Sequence, residues 1–378
     1  LGHDHFCLCA EAATTVTRLS FFRHLWEGAC HGETMSDRVR PDLALTTESR
    51  SRSRVGRALL ALAVMSVSIW RMLAIWHQVE PPFTWPSLAA AAAAALAILV
   101  VGRRRRLSPW LLLVLEVFII AVWWSSITPL NDRNWAADVA HGVTGEISGS
   151  QVTLRNVRNF EWRSAEDFMP RWETRRYDLN EIGQVDLISS VWANPAIAHT
   201  LISFGFSDGR HLVFSAEIRR EEHESFSEIG GFFREFELVM IAAEENDIVR
   251  LRTNIRKEEV SLFPLEVTPE QARALFLSYL GKANELAAEP RFYHTITTNC
   301  TTVIFQLAQL LEPRIPTDWR ILFSGYLPDY LHDLGVIRTD RPLQELKREA
   351  VISDIARQTS SLADYSRTIR SRQIGVHR

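Results

Sequence analysis

The stretch from His294 to Thr302, HTITTNCTT, holds the residue with the most reactive side chain in the second half of the chain, Cys300. Asn299 before it suits a helix N-cap, because its amide oxygen can hold a free backbone N–H. After it, Val303, Ile304, Leu307, Leu310 and Leu311 recur at three and four residues and predict a helix, which Pro313 would end. Cys300 then sits in the first turn. The unpaired amides and the helix dipole favour a thiolate there. The same amides can donate to an oxyanion beside the sulfur, with Asn299 and Thr301 supporting that helix start. The chemistry implied is nucleophilic attack on an acyl carbon. Yet Cys300 also lies on the apolar stripe of its own helix, where a buried, inert cysteine is the common outcome. Spacing alone leaves both readings open.

A cysteine nucleophile needs a base, usually a histidine. From residue 131 onward the chain offers His141, His199, His211, His223, His294, His332 and His377. His199 is the best placed. It starts an alternating strand, between small neighbours, where a ring can project over a helix end. Leu201, Ser203 and Gly205 share its face, and Thr200, Ile202, Phe204 and Phe206 take the other. Two alternating runs flank Ser207-Asp208-Gly209, which predicts a hairpin. A three-residue turn puts Glu217 opposite His199 on the same face, as an orienting group. A two-residue turn points Glu217 away. A zinc site from His199, His211 and Cys300 has no ligand pair at zinc spacing, so no metal and no cofactor is expected. Arg219, Arg220 and Arg234 read as salt-bridge residues. The runs EIRREEHE and RKEEV read as solvated faces.

The elements around these residues read as α+β. A hairpin is expected near residues 145–163, turning at Gly149-Ser150. Further strands are expected at 185–192, 236–243 and 260–265. Thr268 followed by Pro269 starts a helix whose stripe is Ala272, Leu275, Phe276, Tyr279, Leu280 and Ala283. DIVRLRTNIR, residues 247–256, fits helix or strand equally. SGYLPDYLHDLG, residues 324–335, reads as a turn and a short helix. From Arg338 the chain is polar and reads as a loose tail.

About half of the 378 residues are apolar and the net charge is only -3, which gives no footprint for nucleic acid. Three dense apolar runs, residues 58–76, 85–102 and 109–130, are expected to cross a membrane, with Arg71 and Glu116 paired inside the bundle. Arg52, Arg54 and Arg57 precede the first run, and Arg103 to Arg106 separate the second and third. The 77–84 linker has no Lys or Arg. Basic loops stay inside, so residues 131–378 are expected on the outer, periplasmic side, with Trp123 and Trp124 at the interface. Four units follow: a doubtful cytoplasmic tail 1–55, three spans in 56–130, a periplasmic domain 131–345 and a polar tail 346–378. Cys7, Cys9 and Cys30 fall in the first tail, whose true start is either Leu1 or Met35. Cys300 is then the solitary cysteine of a domain in an oxidising compartment, which weighs toward chemistry. NCT at a helix start reads as an accidental match to a glycosylation acceptor.

The segments VRNFEWRS, RWETRRYDL, PAIAHTLISF, SAEIRRE, GFFREFEL, LRTNIR and TTNCTT, in this order, resemble the Lnb N-terminal periplasmic domain family of the bacterial inner membrane. The resemblance covers about residues 131–345. It implies a circularly permuted papain-like fold, similar to NlpC-type amidases, in which an antiparallel sheet packs on the cysteine-bearing helix. In that order the histidine strand precedes the cysteine helix, as His199 precedes Cys300. The family's AHT and NCT motifs fall on Ala198-His199-Thr200 and Asn299-Cys300-Thr301, and its SxE strand on Ser215 and Glu217. His294 stands where the family pattern has Asn. The implied activity is lipoprotein N-acylation from a phospholipid through a Cys300 thioester. A cell-wall cysteine amidase and a non-catalytic sensor or scaffold domain are the competing readings.

Overall fold

The computed structural model describes residues 42–104, 108–312, 314–359 and 361–374. The expectations placed on Cys7, Cys9, Cys30, Met35, Arg105, Arg106, Pro313 and His377 lie outside the described residues, as do the side chains of Arg52, Leu310 and Leu311.

Three helices come first among the described residues: α1 (Asp42–Gln78), α2 (Thr84–Arg104) and α3 (Ser108–Ser126). Each contains a stretch long and apolar enough to cross a membrane, Arg54–Gln78, Thr84–Arg104 and Ser108–Ser126. Most of their large apolar side chains face outward, as a lipid solvent requires. Leu60, Val64, Ile98 and Leu113 pack between them. The two charges inside the bundle meet each other, Arg71 on Glu116. That is the cheap way to keep ionised groups at such depth.

Ten strands follow among the described residues: β1 (Thr144–Ser148), β2 (Gln151–Arg158), β3 (Glu161–Trp162), β4 (Phe168–Met169), β5 (Trp172–Asp178), β6 (Ile182–Val191), β7 (Ala198–Phe206), β8 (His211–Arg219), β9 (Glu237–Glu244) and β10 (Glu259–Pro264). Eight of them form one sheet, ordered β1-β2-β9-β8-β7-β6-β10 with β5 also on β2. The expected antiparallel sheet is in fact mixed, because β2 and β9 run parallel. The β7–β8 turn has three residues, closed by Phe206 N–H to the Arg210 carbonyl, with Gly209 at φ +85°. That left-handed position suits glycine.

Alternation along the strands sorts two cores. Ile202, Phe204, Phe214 and Met240 face α5 (Pro269–Ala288) and α6 (Cys300–Leu311), and stack against Phe276 and Tyr279. Leu201, Val213, Val239 and Ile241 face away. Their cover includes α4 (Glu245–Arg250). Both helices of the first face start as the sequence predicts. Thr268 and Gln271 form a capping box with Pro269 at the first position, and Asn299 with Thr302 forms another. Each cap contributes about 1 kcal/mol.

One segment left open is resolved and another departs from expectation. Residues 245–255 are helical throughout, α4 continuing into a π-turn over Leu251–Ile255. The polar tail from Arg338 is not loose. After α7 (Leu327–Asp333) it forms α8 (Leu343–Ala350), α9 (Ser353–Gln358) and α10 (Tyr365–Ile369), and Ile352, Ala356, Tyr365 and Ile369 close the second core. Arg370 is the reason. It is buried and bonds Asp186 on β6 and Glu245 on α4. An arginine reads as solvent-seeking in sequence, and its two carboxylate partners lie 184 and 125 residues away.

Candidate functional site

Cys300 is the first residue of α6 and is 8 % exposed. It is the one free cysteine among the described residues. The α6 stripe, Cys300, Val303 and Leu307, belongs to the first core, so the cysteine is buried on one side, as the bland reading required. Its sulfur, however, is not in apolar surroundings alone. It lies 3.8 Å from the Thr301 hydroxyl, and the charge of His199, at the start of β7, acts on it.

The β7–β8 register sets Ile202 opposite Phe214 and Gly205 opposite His211. Continued to the strand start, it sets His199 opposite Glu217, the arrangement a three-residue turn requires. His199 Nε2 lies 2.7 Å from Ser215 Oγ and 3.1 Å from Glu217 Oε1. Ser215 Oγ in turn donates to Glu217 Oε1 at 2.7 Å. These acceptors hold a proton on Nε2. Arg252, carried by the π-turn, donates to the same Glu217 oxygen at 2.9 Å. Behind it, Glu258 is paired with Arg252 and with Ser190.

The electrostatics follow from these neighbours. Burial pushes the Cys300 thiol up, but the His199 charge and hydrogen bond outweigh it and bring the thiol down to about 6. Burial pushes His199 down, and Arg252 opposes its charge. Glu217 and the thiolate overcome both and raise it to about 9. Glu217 pays for burial too, yet His199 and Arg252 hold it well below the usual carboxylate range. The charges of His199 and Cys300 thus favour one another's ionised forms.

Asn299 and Thr301 serve the helix start rather than a ligand. The Asn299 oxygen accepts the Thr302 amide at 2.8 Å and its nitrogen donates to the Thr295 carbonyl at 2.7 Å. That Asn299 is 8 % exposed and so engaged fits the reading of NCT as an accidental glycosylation match. Thr301 is fully buried, its hydroxyl 3.1 Å from that of Thr200. His294 does not back up His199. Its Nδ1 accepts the Ile296 and Thr297 amides and shapes the turn before Asn299. His211 sits at the far end of the hairpin beside Gly209, and no group of ligands able to hold a metal occurs among the described residues. Arg219 is buried on carbonyls of Val139 and Ala140, Arg220 pairs with Asp138, and Arg234 binds the carbonyls of Trp124 and Ile127 at the end of α3. The acidic runs are solvated only in part, since Glu217 and Glu258 both turn inward.

The sulfur and the ring open into a cavity of about 380 Å³. One wall is apolar, with Trp192, Ile197, Phe226 and Leu322. The other carries Asp138, Arg220, Arg256 and Glu258. Gly325 supports the apolar wall. Its amide bonds the Ala196 carbonyl, and a Cβ there would stand 1.9 Å from the Pro195 oxygen. Arg252, Glu258 and Ser190 were not singled out from sequence. The signal for Arg252 was the LRTNIR motif, but only the π-turn decides that its side chain points to Glu217.

No curated protein and no solved structure matches the chain. The family profile described as the Lnb N-terminal periplasmic domain matches residues 168–325, a span that includes His199, Glu217, Arg252 and Cys300. The chain thus contains a Lnb N-terminal periplasmic domain, and with three apolar spans ahead of it is a multi-pass inner-membrane protein whose C-terminal domain is periplasmic.

Proposed function

We propose that the domain is a thiol acyltransferase with Cys300 as nucleophile and His199 as its acid and base, oriented by Ser215 and Glu217. What supports this is Cys300 at a helix start, lining the same half-apolar cavity as His199, whose charge lowers the thiol to about 6. The thiolate attacks the carbonyl carbon of a phospholipid ester. The first-turn amides of α6 face the oxyanion that forms. The His199 imidazolium gives its proton to the leaving alkoxide, so a lysophospholipid departs and a Cys300 thioester remains. An amine acceptor, the α-amine of a diacylglyceryl-cysteine lipoprotein in this reading, then attacks the thioester. The thiolate leaves and His199 takes the amine proton, which restores the starting state. The histidine strand ahead of a cysteine helix packed on the sheet supports a permuted papain-like arrangement. Because α8 to α10 pack on the sheet, we take the working domain as residues 131–374.

The charged wall of the cavity supports a second reading, hydrolysis of a cell-wall peptide with water as acceptor. The distinguishing experiment feeds an alkyne fatty acid to cells and examines the protein in isolated membranes. An adduct on the wild type that hydroxylamine releases and Cys300→Ala lacks is the expected result. Equal labelling of both proteins removes the thioester step. A non-catalytic sensor would give no Cys300-dependent adduct.

A further inference from the structure

We propose that the mouth of the Cys300 cavity is seated in the outer leaflet of the same membrane, so that a lipid acyl chain reaches the sulfur without crossing water. The proposal deepens the acyl-transfer reading and rests on it only for what the seated mouth admits. Three segments border the cavity, and they carry most of the large apolar side chains left exposed in the periplasmic domain. Trp192 and Ile197 come from the β6–β7 loop. Phe226, Ile229 and Phe232 come from the β8–β9 loop. Trp319, Leu322 and Phe323 precede α7. Trp319 and Phe323 are about half exposed, at 58 % and 48 %.

The segments are joined into one surface. The rings of Trp192 and Phe226 are 6.4 Å apart, those of Trp319 and Phe323 5.9 Å apart, and Gly325 is hydrogen-bonded to Ala196. A contiguous exposed apolar surface of this kind marks an interaction site. What covers it is indicated by the β8–β9 loop, which is fastened to the outer ends of α1 and α3. Gln78 donates to the Phe233 carbonyl at 2.8 Å, His77 bonds Glu235 at 2.8 Å, and Arg234 donates to the Trp124 carbonyl at 2.8 Å. The Phe233 ring stacks on His77 and also reaches Trp70, 6.0 Å away. Trp70 lies eight residues inside the span from Gln78, roughly 12 Å along the helix axis. The loop therefore descends beside the span, and Phe232 and Ile229 continue its exposed edge at the level of the bilayer surface. Tryptophan and phenylalanine are the residues that this interface accepts.

The test uses the full-length protein in nanodiscs of phosphatidylethanolamine and phosphatidylglycerol. Cys300→Ala is combined with serine at Cys7, Cys9 and Cys30. Single cysteines at Ile229, Trp319 or Phe323 are labelled with a nitroxide, and one at Ser150, in the β1–β2 turn, serves as the aqueous reference. Power saturation with oxygen and with a water-soluble nickel chelate reads the surroundings. The expected result is a severalfold higher oxygen-to-nickel accessibility ratio at all three rim positions than at Ser150. A ratio equal to that of Ser150 at Trp319 and Phe323 overturns the proposal, even if Ile229 is lipid-like, because the mouth would then be open to water. The labelled protein has no thiol nucleophile, so this readout does not depend on acyl transfer. Aqueous ratios beside a normal Cys300 adduct in the wild type overturn the seating alone. Lipid-like ratios without such an adduct overturn the acyl-transfer reading alone.

Discussion

Two clusters of buried charge lie along the central strands, and they are built to opposite ends. On the side closed by the C-terminal helices, Arg370 meets Asp186 and Glu245, and Glu245 also accepts from Ser203. That cluster is 5 % exposed or less at every charged member. At the other, His199, Glu217, Arg252 and Cys300 face a cavity, and Arg252 Nε has no partner among the described residues. The first cluster spends its hydrogen bonds on holding chain segments together. The second sets a thiol and a histidine beside a cavity. A buried ion pair is thus evidence of chemistry only where a cavity and an unspent donor accompany it.

The difference can be broken most forcefully by removing one charge from each cluster. Arg370→Met leaves two buried carboxylates without a cation and is expected to cost about 3–5 kcal/mol, as breaking a buried pair does. Thermal unfolding of the detergent-solubilised protein should show a large fall in Tm. Cys300→Ala removes one small side chain and is expected to leave Tm nearly unchanged while abolishing the acyl adduct. A stable Arg370→Met protein would mean the C-terminal helices are not fastened by this cluster.

The clusters also answer pH in opposite directions. Glu245 is penalised by burial, but Arg370 holds it down at about 2, below its ordinary 4.5. Its contribution to stability is present above 4.5 and is lost as pH falls toward 2. His199 is raised to about 9 from 6.5, so its contribution is full below 6.5 and is lost as pH rises through 9. For reactivity, alkylation of Cys300 should rise with a midpoint near 6, and acyl transfer should be bell-shaped, falling again near 9. Glu217→Gln removes the charge that lifts His199. The upper limb should move to lower pH and the alkylation midpoint to higher pH, with activity reduced. His199→Ala should cost about 10²- to 10⁴-fold in rate, the range for a lost acid–base group, without unfolding the domain. A Glu217→Gln profile that superimposes on the wild type would sink the orienting role.

How much of this was legible in sequence depended on how local each determinant is. The Asn299 and Thr268 caps, the three spans and the His199–Glu217 pairing rest on neighbours within a turn or a hairpin. The pairing needed only the choice between two- and three-residue turns, which Gly209 at positive φ decides. Arg252 was hidden because its direction depends on a π-turn that helix and strand periodicities both miss. Arg370 was hidden because its partners are far along the chain, and a polar helix with a few apolar anchors reads as a tail. The parallel β2–β9 contact has no local signature at all.

The smallest expected effect separates a bridging hydroxyl from a spectator. Ser215 stands between His199 Nε2 and Glu217, but His199 also reaches Glu217 directly at 3.1 Å. Ser215→Ala therefore removes one of two routes by which the ring is oriented. The lost hydrogen bond is worth about 1 kcal/mol, so the rate should fall by less than tenfold. Because Glu217 keeps its charge and Arg252 keeps Glu217 in place, the midpoints near 6 and 9 should stay where they are. A Ser215→Ala protein that loses activity as fully as His199→Ala would show that the ring depends on the hydroxyl rather than on the carboxylate. Ser203 offers the matched control in the other cluster, where it is fully buried and donates to Glu245. Ser203→Ala should cost a similar fraction of stability and leave the acylation rate untouched.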